Sequence, residues 1–415
     1  MSQKQNAADI AAQYYLSLEQ KTPDVTRKAS ISMLVICGAI LLLFGALLCF
    51  LPPNPFSPEE NRSLATFPDY STEALLDGSF TQGIADFCAD QFPFRTTFVT
   101  AKAKLELWAG RQENNDVIAG NDGYLIKRPQ YTPLQIQNME QNLLAICRFE
   151  DALKRDGISF TFAVVPRSID VNSSRLPAPL DASVAQYDRS QLHAALDASD
   201  LSLLDLTDSL RNAAQEKQVW YKTDHHWTMD GAYVAYVSLS EALGYTPSPL
   251  SDFTHEVVCE RFLGTTQASS GMMWIEGEEL TLLRYDGDEA FQTEIIAGGQ
   301  IIRTLNGFYD FDALETHDEY NVFLGGTNTL IRVFHPERSD APTLVLLKDS
   351  FSQSLAPLLA RHFDLILVDP RTYNIQNGSL LSLIQTEEAE QVLLLYGLDT
   401  LYDSYSLKNL TFGLN

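Results

Sequence analysis

Apolar positions are unevenly distributed along the chain. Ile31–Leu51 (ISMLVICGAILLLFGALLCFL) carries no charge, and Ser32 is its sole hydroxylated residue. About 21 residues at 1.5 Å each span about 31 Å, the thickness of a bilayer's hydrocarbon core, so the run predicts a membrane-spanning helix. A cleaved signal peptide has a shorter apolar region and ends in small residues. Here the run leaves through Phe50-Leu51-Pro52-Pro53, so an uncleaved signal-anchor is expected. Lys21, Arg27 and Lys28 precede it, and Glu59 and Glu60 follow. The positive-inside rule then predicts a cytoplasmic tail over 1–28, a span over 29–52 and an extracytoplasmic body.

After the anchor the pattern changes repeatedly. Residues 53–70 are proline-rich and helix-poor and predict a linker. Residues 72–110 show helical spacing broken near Pro93, and Gly120–Leu125 (GNDGYL) marks a tight hairpin. A helix is expected over 134–156, a buried strand over 158–165, a short strand over 201–204 and a helix over 231–243. The stretch 250–335 is turn-rich and predicts a mixed β insertion. The last third alternates cleanly: strand 343–347 (TLVLL), helix 351–362, strand 365–368, helix 380–386, strand 392–396 (VLLLY). Short apolar strands separated by helices predict an α/β fold with a parallel sheet covered on both faces, here spanning residues 71–415.

Composition narrows the partners. With 45% apolar and 20% charged residues the chain is globular, and its net charge of −25 without any basic run argues against nucleic acid. Cys37 and Cys49 fall in the span. Cys88, Cys147 and Cys259 are odd in number and widely spaced, which permits one disulfide at most and no thiolate zinc site.

Two segments carry chemistry. In parallel sheets reactive groups gather at the carboxyl ends of strands. The strand TLVLL ends in Lys348-Asp349-Ser350 before a helix, the place for an exposed nucleophile. The same letters also read as a capping box, with Ser350 as N-cap and Gln353 as its partner. The second segment is Thr223-Asp224-His225-His226-Trp227-Thr228. In an extended chain residues i and i+2 share a side, so Asp224 can hold Nδ1–H of His226 and leave Nε2 as a base. Thr228 is placed to cap the following helix. His225 is a second candidate, with a core or surface histidine as the plain alternative. Asp-His-His also occurs in manganese phosphoesterases, but no Asp-x-Asp lies upstream and His193, His255, His317, His335 and His362 are scattered singly.

Tyr221–Tyr236 (YKTDHHWTMDGAYVAY) together with Lys348–Asn374 (KDSFSQSLAPLLARHFDLILVDPRTYN) resembles the bacterial DHHW family. That family is similar to the AlgX, AlgJ and DltD-like branch of SGNH hydrolases, which serves polysaccharide O-acetylation. FSPEENRSLATFP, GIADFCADQFPFR, GNDGYL and FLGGTNTL (Phe323–Leu330) extend the resemblance over nearly the whole extracytoplasmic part. It implies an SGNH-like fold with Asp224, His226 and Ser350 as a triad. Lys348 stands where the Gly of Gly-Asp-Ser would be, beside the nucleophile, where it can alter access. Gly326 and Asn328 are the candidates for the oxyanion donors, and Arg371 for contact with an anionic substrate or for a structural ion pair.

The expected function is therefore a membrane-anchored serine esterase or O-acetyltransferase for a cell-surface or exported polysaccharide, without metal or other cofactor. A membrane acyltransferase that exports acetyl groups is the partner implied by the resemblance. The alternatives are a non-catalytic glycan-binding or envelope-assembly protein and the metal phosphoesterase. A histidine base predicts turnover falling below about pH 6–7; a flat profile to about pH 4.5 argues against one.

Overall fold

The computed structural model describes residues 2–130, 132–181, 183–403 and 405–414. Side chains of residues 2–9, 11, 16–26, 184–185, 187–188 and 375 lie outside the described set, and Lys21 is among them. The chain forms two compact units, residues 1–57 with 62–98 and residues 58–61 with 99–415.

The first unit opens with helix α1, Ser2–Phe50, of which Arg27–Phe50 is long and apolar enough to cross a membrane. This supports a single-pass anchor. Beyond it the chain carries no helix until Thr72. A short antiparallel pair joins Phe56-Ser57 to Arg62-Ser63, and helix α2, Ser79–Asp90, follows. The stretch is pinned by polar contacts: Arg62 forms a fork with Asp90 at 2.5 and 2.9 Å, and the Ala65 N–H donates to the same carboxylate at 2.8 Å. Helix α3, Arg95–Trp108, starts after the predicted break at Pro93.

The second unit is built on one eight-stranded sheet. In chain order its strands are β1 (Ser159–Val165), β2 (Leu203–Asp205), β3 (Gln292–Ala297), β4 (Gln300–Asn306), β5 (Leu330–Phe334), β6 (Thr343–Lys348), β7 (Asp364–Val368) and β8 (Gln391–Gly397). Their spatial order is β4-β3-β5-β7-β6-β8-β1-β2. Strands β7, β6, β8, β1 and β2 are parallel, as their continuous apolar runs predict. Strands β3, β4 and β5 are antiparallel. Thus part of the expected 250–335 insertion extends the main sheet, while Thr254–Phe262 and Glu278–Arg284 form a separate hairpin. The predicted GNDGYL turn joins the antiparallel strands Val117–Ala119 and Leu125–Lys127.

The pleat divides the core in two. Leu344 and Leu346 of β6 pack into one apolar cluster, Val345 and Leu347 into the other, and β7 and β8 alternate in the same way. Helix α4 (Pro133–Arg155) covers the second face through Leu143, Ile146, Phe149 and Leu153. Helix α5 (Met229–Leu243) covers the first, and Thr228 caps it by accepting from Gly231 N–H at 3.3 Å. Burying such side chains on both faces stabilises by about 1.5–3 kcal/mol each and fixes β6 as an inner strand. All five cysteines are free thiols.

Candidate functional site

Ser350 stands two residues beyond β6, in the turn before helix α7, Ser352–Leu359; the short helix α6, Thr265–Ser270, borders the same place. The crossover through α7 leads to β7 on one side of β6, and the next crossover leads to β8 on the other. Ser350 is therefore at the point where the strand order reverses, where open sheets present a crevice. Asp349 holds the turn in place. Its Oδ1 accepts from the Phe351 N–H at 3.1 Å, and its Oδ2 accepts from Gly397 N–H at 2.7 Å and Thr400 Oγ at 2.9 Å.

The capping box does not form. Helix α7 begins at Ser352 with no side-chain cap, and the Gln353 N–H donates to the Ser350 carbonyl, not to its hydroxyl. Ser350 Oγ instead lies 2.7 Å from Nε2 of His226. A long-range partner has taken the hydroxyl that local sequence assigned to the helix.

His226 belongs to a loop closed by the pairing of Trp220 with Trp227. Residues 222–226 are bends, not the extended chain the i, i+2 argument assumed. The contact survives because Asp224 folds back on its own backbone: Oδ1 accepts from His226 N–H at 2.9 Å and faces His226 Nδ1 at 2.5 Å. Oδ2 accepts from Thr265 N–H at 2.7 Å and Thr265 Oγ at 3.0 Å. Gly264 permits this approach, since a Cβ there would fall 2.2 Å from Asp224 Cβ.

The ring of His226 is clamped. Tyr320 stacks on it at 4.0 Å and 8°, His225 lies at 3.8 Å, and Phe351 presents an edge at 5.1 Å. Trp227 Nε1–H donates to Ser354 Oγ of α7 at 2.8 Å, and the Tyr320 hydroxyl meets the same oxygen at 3.1 Å. The tryptophan of the motif thus ties the histidine loop to the helix behind the serine. Thr265 and Tyr320 escaped the sequence reading because they lie 41 and 94 positions from Asp224 and His226 in featureless stretches; the FLGGTNTL motif just after Tyr320 was the nearest signal.

Burial pushes the Asp224 carboxyl up, but the imidazoles of His225 and His226, the His226 hydrogen bond and the Thr265 N–H outweigh it and leave it well below the ordinary range. His225, with 44% of its side chain exposed, is pushed down to about 4, by desolvation first and by His226 second. His225 is therefore neutral at pH 7.

Other candidates fall differently. A cleft of about 120 Å³ opens over Ser350 and His225, with Lys127, Arg167 and Arg371 in its walls. Arg371 Nε and Nη2 bind the buried Asp369 carboxylate at 2.9 and 2.6 Å, so the arginine both pairs structurally and reaches the cleft. Gly326 and Asn328 do not line it; the Asn328 amide donates to the carbonyls of Gly325 and Gly326. Lys348 does not border it either. It is fully buried, its Nζ has no hydrogen-bond partner among the described residues, and burial pushes it down. Asp224, His225 and His226 also bring ligand-type atoms within 4.8 Å of one another, but those of Asp224 and His226 face each other and Ser350.

Residues 117–274 match the family described as SGNH hydrolase-like domain, acetyltransferase AlgX, a stretch that contains Asp224–His226 and ends before Ser350. A probable alginate O-acetylase AlgJ of Pseudomonas syringae pv. tomato is 28% identical over 228 residues, 53% of this chain and 54% of that protein. A Pseudomonas fluorescens AlgJ is 28% identical over 204 residues, 48% of this chain and 52% of that protein. The chain spans about half the length of the curated relatives it matches. Among solved structures, a DHHW family protein from Eubacterium siraeum superposes with TM-score 0.58 at 17% identity, over 72% of this chain and 96% of that one. Bacillus cereus PatB1 with a sulfonyl adduct gives 0.57 at 21%, over 70% and 99%. These likenesses concern the fold.

Proposed function

Because the chain belongs to the SGNH-hydrolase-like superfamily, related to the DHHW, AlgX and AlgJ polysaccharide-modifying proteins, we propose that it is a serine O-acetyltransferase or esterase acting on a surface glycopolymer. The observation that carries this reading is the continuous line Asp224 Oδ1–His226 Nδ1–His226 Nε2–Ser350 Oγ, with steps of 2.5 and 2.7 Å. Ser350 Oγ attacks the ester carbonyl while His226 Nε2 takes its proton, and Asp224 fixes the tautomer and steadies the imidazolium. The proton then passes from His226 to the leaving alkoxide. A sugar hydroxyl (transfer) or water (hydrolysis) next attacks the acyl-serine, with His226 as base again.

The Ser350 N–H has no acceptor among the described residues and is our choice for an oxyanion donor. Arg167 and Arg371 of the cleft are paired with Asp170, Asp399 and Asp369, which leaves Lys127 as the candidate contact for a carboxylate or phosphate group on the acceptor. The alginate named for the AlgJ relatives is one such polymer type. In this reading α1 anchors the chain with residues 1–28 in the cytoplasm and the catalytic unit outside, where a membrane acyltransferase can deliver acetyl groups.

Full-length protein in detergent should hydrolyse a small aryl acetate, and Ser350→Ala and His226→Ala should each lower kcat by on the order of 10⁵–10⁶ with unchanged circular dichroism. Equal rates in all three proteins would favour the glycan-binding reading. Activity that follows bound manganese would favour the phosphoesterase.

A further inference from the structure

The span is not alone in the bilayer: we propose that the turn Phe92-Pro93-Phe94 and Phe98 insert into the hydrocarbon beside α1, with lipid acyl chains as their partner. Two contacts within the first unit set the level of this turn. Gln91 sits at the exit of the span, where its side chain accepts from Asn54 N–H at 2.9 Å and donates to Asn54 O at 2.8 Å and Ala65 O at 3.1 Å. The next residue turns back along the helix. Phe92 stacks on Phe44 at 5.0 Å and 12°, and Phe98 meets Phe44 at 6.0 Å and Phe92 at 5.8 Å.

Phe44 lies seven residues before Leu51, the last residue of the apolar run, so its Cα is about 10 Å inside the hydrocarbon edge on that side. Side chains on a helix lean toward its N-terminus, which carries the ring no shallower than this. The rings of Phe92 and Phe98, centred 5.0 and 6.0 Å from that of Phe44, differ from its depth by no more than those distances and so stay inside the hydrocarbon edge. Whatever membrane surrounds α1 must therefore also surround Phe92 and Phe98.

Exposure agrees with immersion. Phe94 is 66% exposed, Phe98 50% and Phe92 39%, three phenylalanines within seven residues; Arg95 between them has a side chain long enough to carry its guanidinium toward the headgroups. Phe94 is also held at φ 60°, a conformation bulky residues rarely adopt, at the tip of the turn. Each ring moved from water into hydrocarbon contributes about 1.5–3 kcal/mol in the transfer sense. The segment that the sequence places at the start of the extracytoplasmic domain is thus a monotopic foot attached to the anchor. The inference depends on α1 spanning a bilayer and is independent of the chemistry at Ser350.

The test is Phe94→Trp in full-length protein reconstituted into phosphatidylcholine vesicles, with the wild type, which has four tryptophans, subtracted as background. The added emission should be blue-shifted, lose most of its intensity when the acyl chains carry bromine near the headgroup, and resist acrylamide. Phe98→Trp should give the same result, which covers the case that the Phe94 turn does not tolerate the larger ring. Emission indifferent to bromolipid overturns the proposal. Sensitivity to acrylamide would then show a turn in water, and resistance to both quenchers a turn covered by protein.

Discussion

The two halves of the candidate site are built by different means. Ser350 gets its place from regular structure: β6 lies between β7 and β8, its residues alternate into two cores, and Asp349 fastens the turn to the end of β8. The Asp224–His226 loop has no regular structure. It is held by the Trp220–Trp227 pairing, by Thr265 at the start of α6 and Gly264 just before it, by Tyr320, and by the bond from Trp227 to Ser354. A sheet positions a nucleophile with few side chains, because backbone hydrogen bonds and pleat do the work. An irregular loop needs many specific contacts, each replaceable only at the cost of geometry.

This contrast predicts that substitutions around the loop damage rate far more than folding. The largest effect short of removing Ser350 or His226 is expected for Asp224→Asn. It leaves a side chain of the same shape but stabilises the wrong imidazole tautomer, and kcat should fall by about 10⁴. Steady-state kinetics beside thermal melting would check it; a fall below tenfold would break the claim that the carboxylate orients the base.

Next comes Gly264→Ala. A methyl group 2.2–2.3 Å from Asp224 Cβ and Oδ2 must displace the carboxylate, and a shift of about 1 Å in such a site costs about 10² in rate. The serine turn should be untouched, so a variant that loses its fold outright would show the loop to be structural in the same sense as the sheet.

The smallest effect concerns acid. The folded His225 value of about 4 lies below the unfolded value of about 6.5, so the native state binds fewer protons in between. Its contribution to stability is present above about pH 6.5 and is lost as pH falls toward 4. Asp224, also depressed, adds a loss that begins below about 4. Melting temperature should decline from pH 6.5 to 4, and His225→Gln should flatten that decline.

The same contrast explains what was legible in the sequence. Strands buried on both faces write themselves as apolar runs, so β1, β6, β7 and β8 were placed within a residue or two, and the turn after β6 followed. Asp224 and His226 stand out in the sequence as a polar cluster at i, i+2 spacing and Ser350 as the residue in the turn after β6, and the structure brings their side chains together. The partners that hold the loop were not legible: Thr265, Gly264 and Tyr320 meet the site only through folding, and nothing local distinguishes them. Ser350 itself was ambiguous, since a capping box and a nucleophile turn share the same letters. Only the approach of His226 from a distant loop separates them. Gly326 and Asn328 lie outside the cleft, and the Asn328 amide bonds within its own turn.

In the proposed reaction His226 and Asp224 activate Ser350 as a nucleophile. The most direct measurement is covalent labelling of the full-length protein with a small sulfonyl fluoride, followed by peptide mass spectrometry. One adduct per chain on Ser350, lost in His226→Ala while the protein remains folded, is the predicted result. Absence of an adduct, or an adduct on another serine that persists without His226, would contradict it.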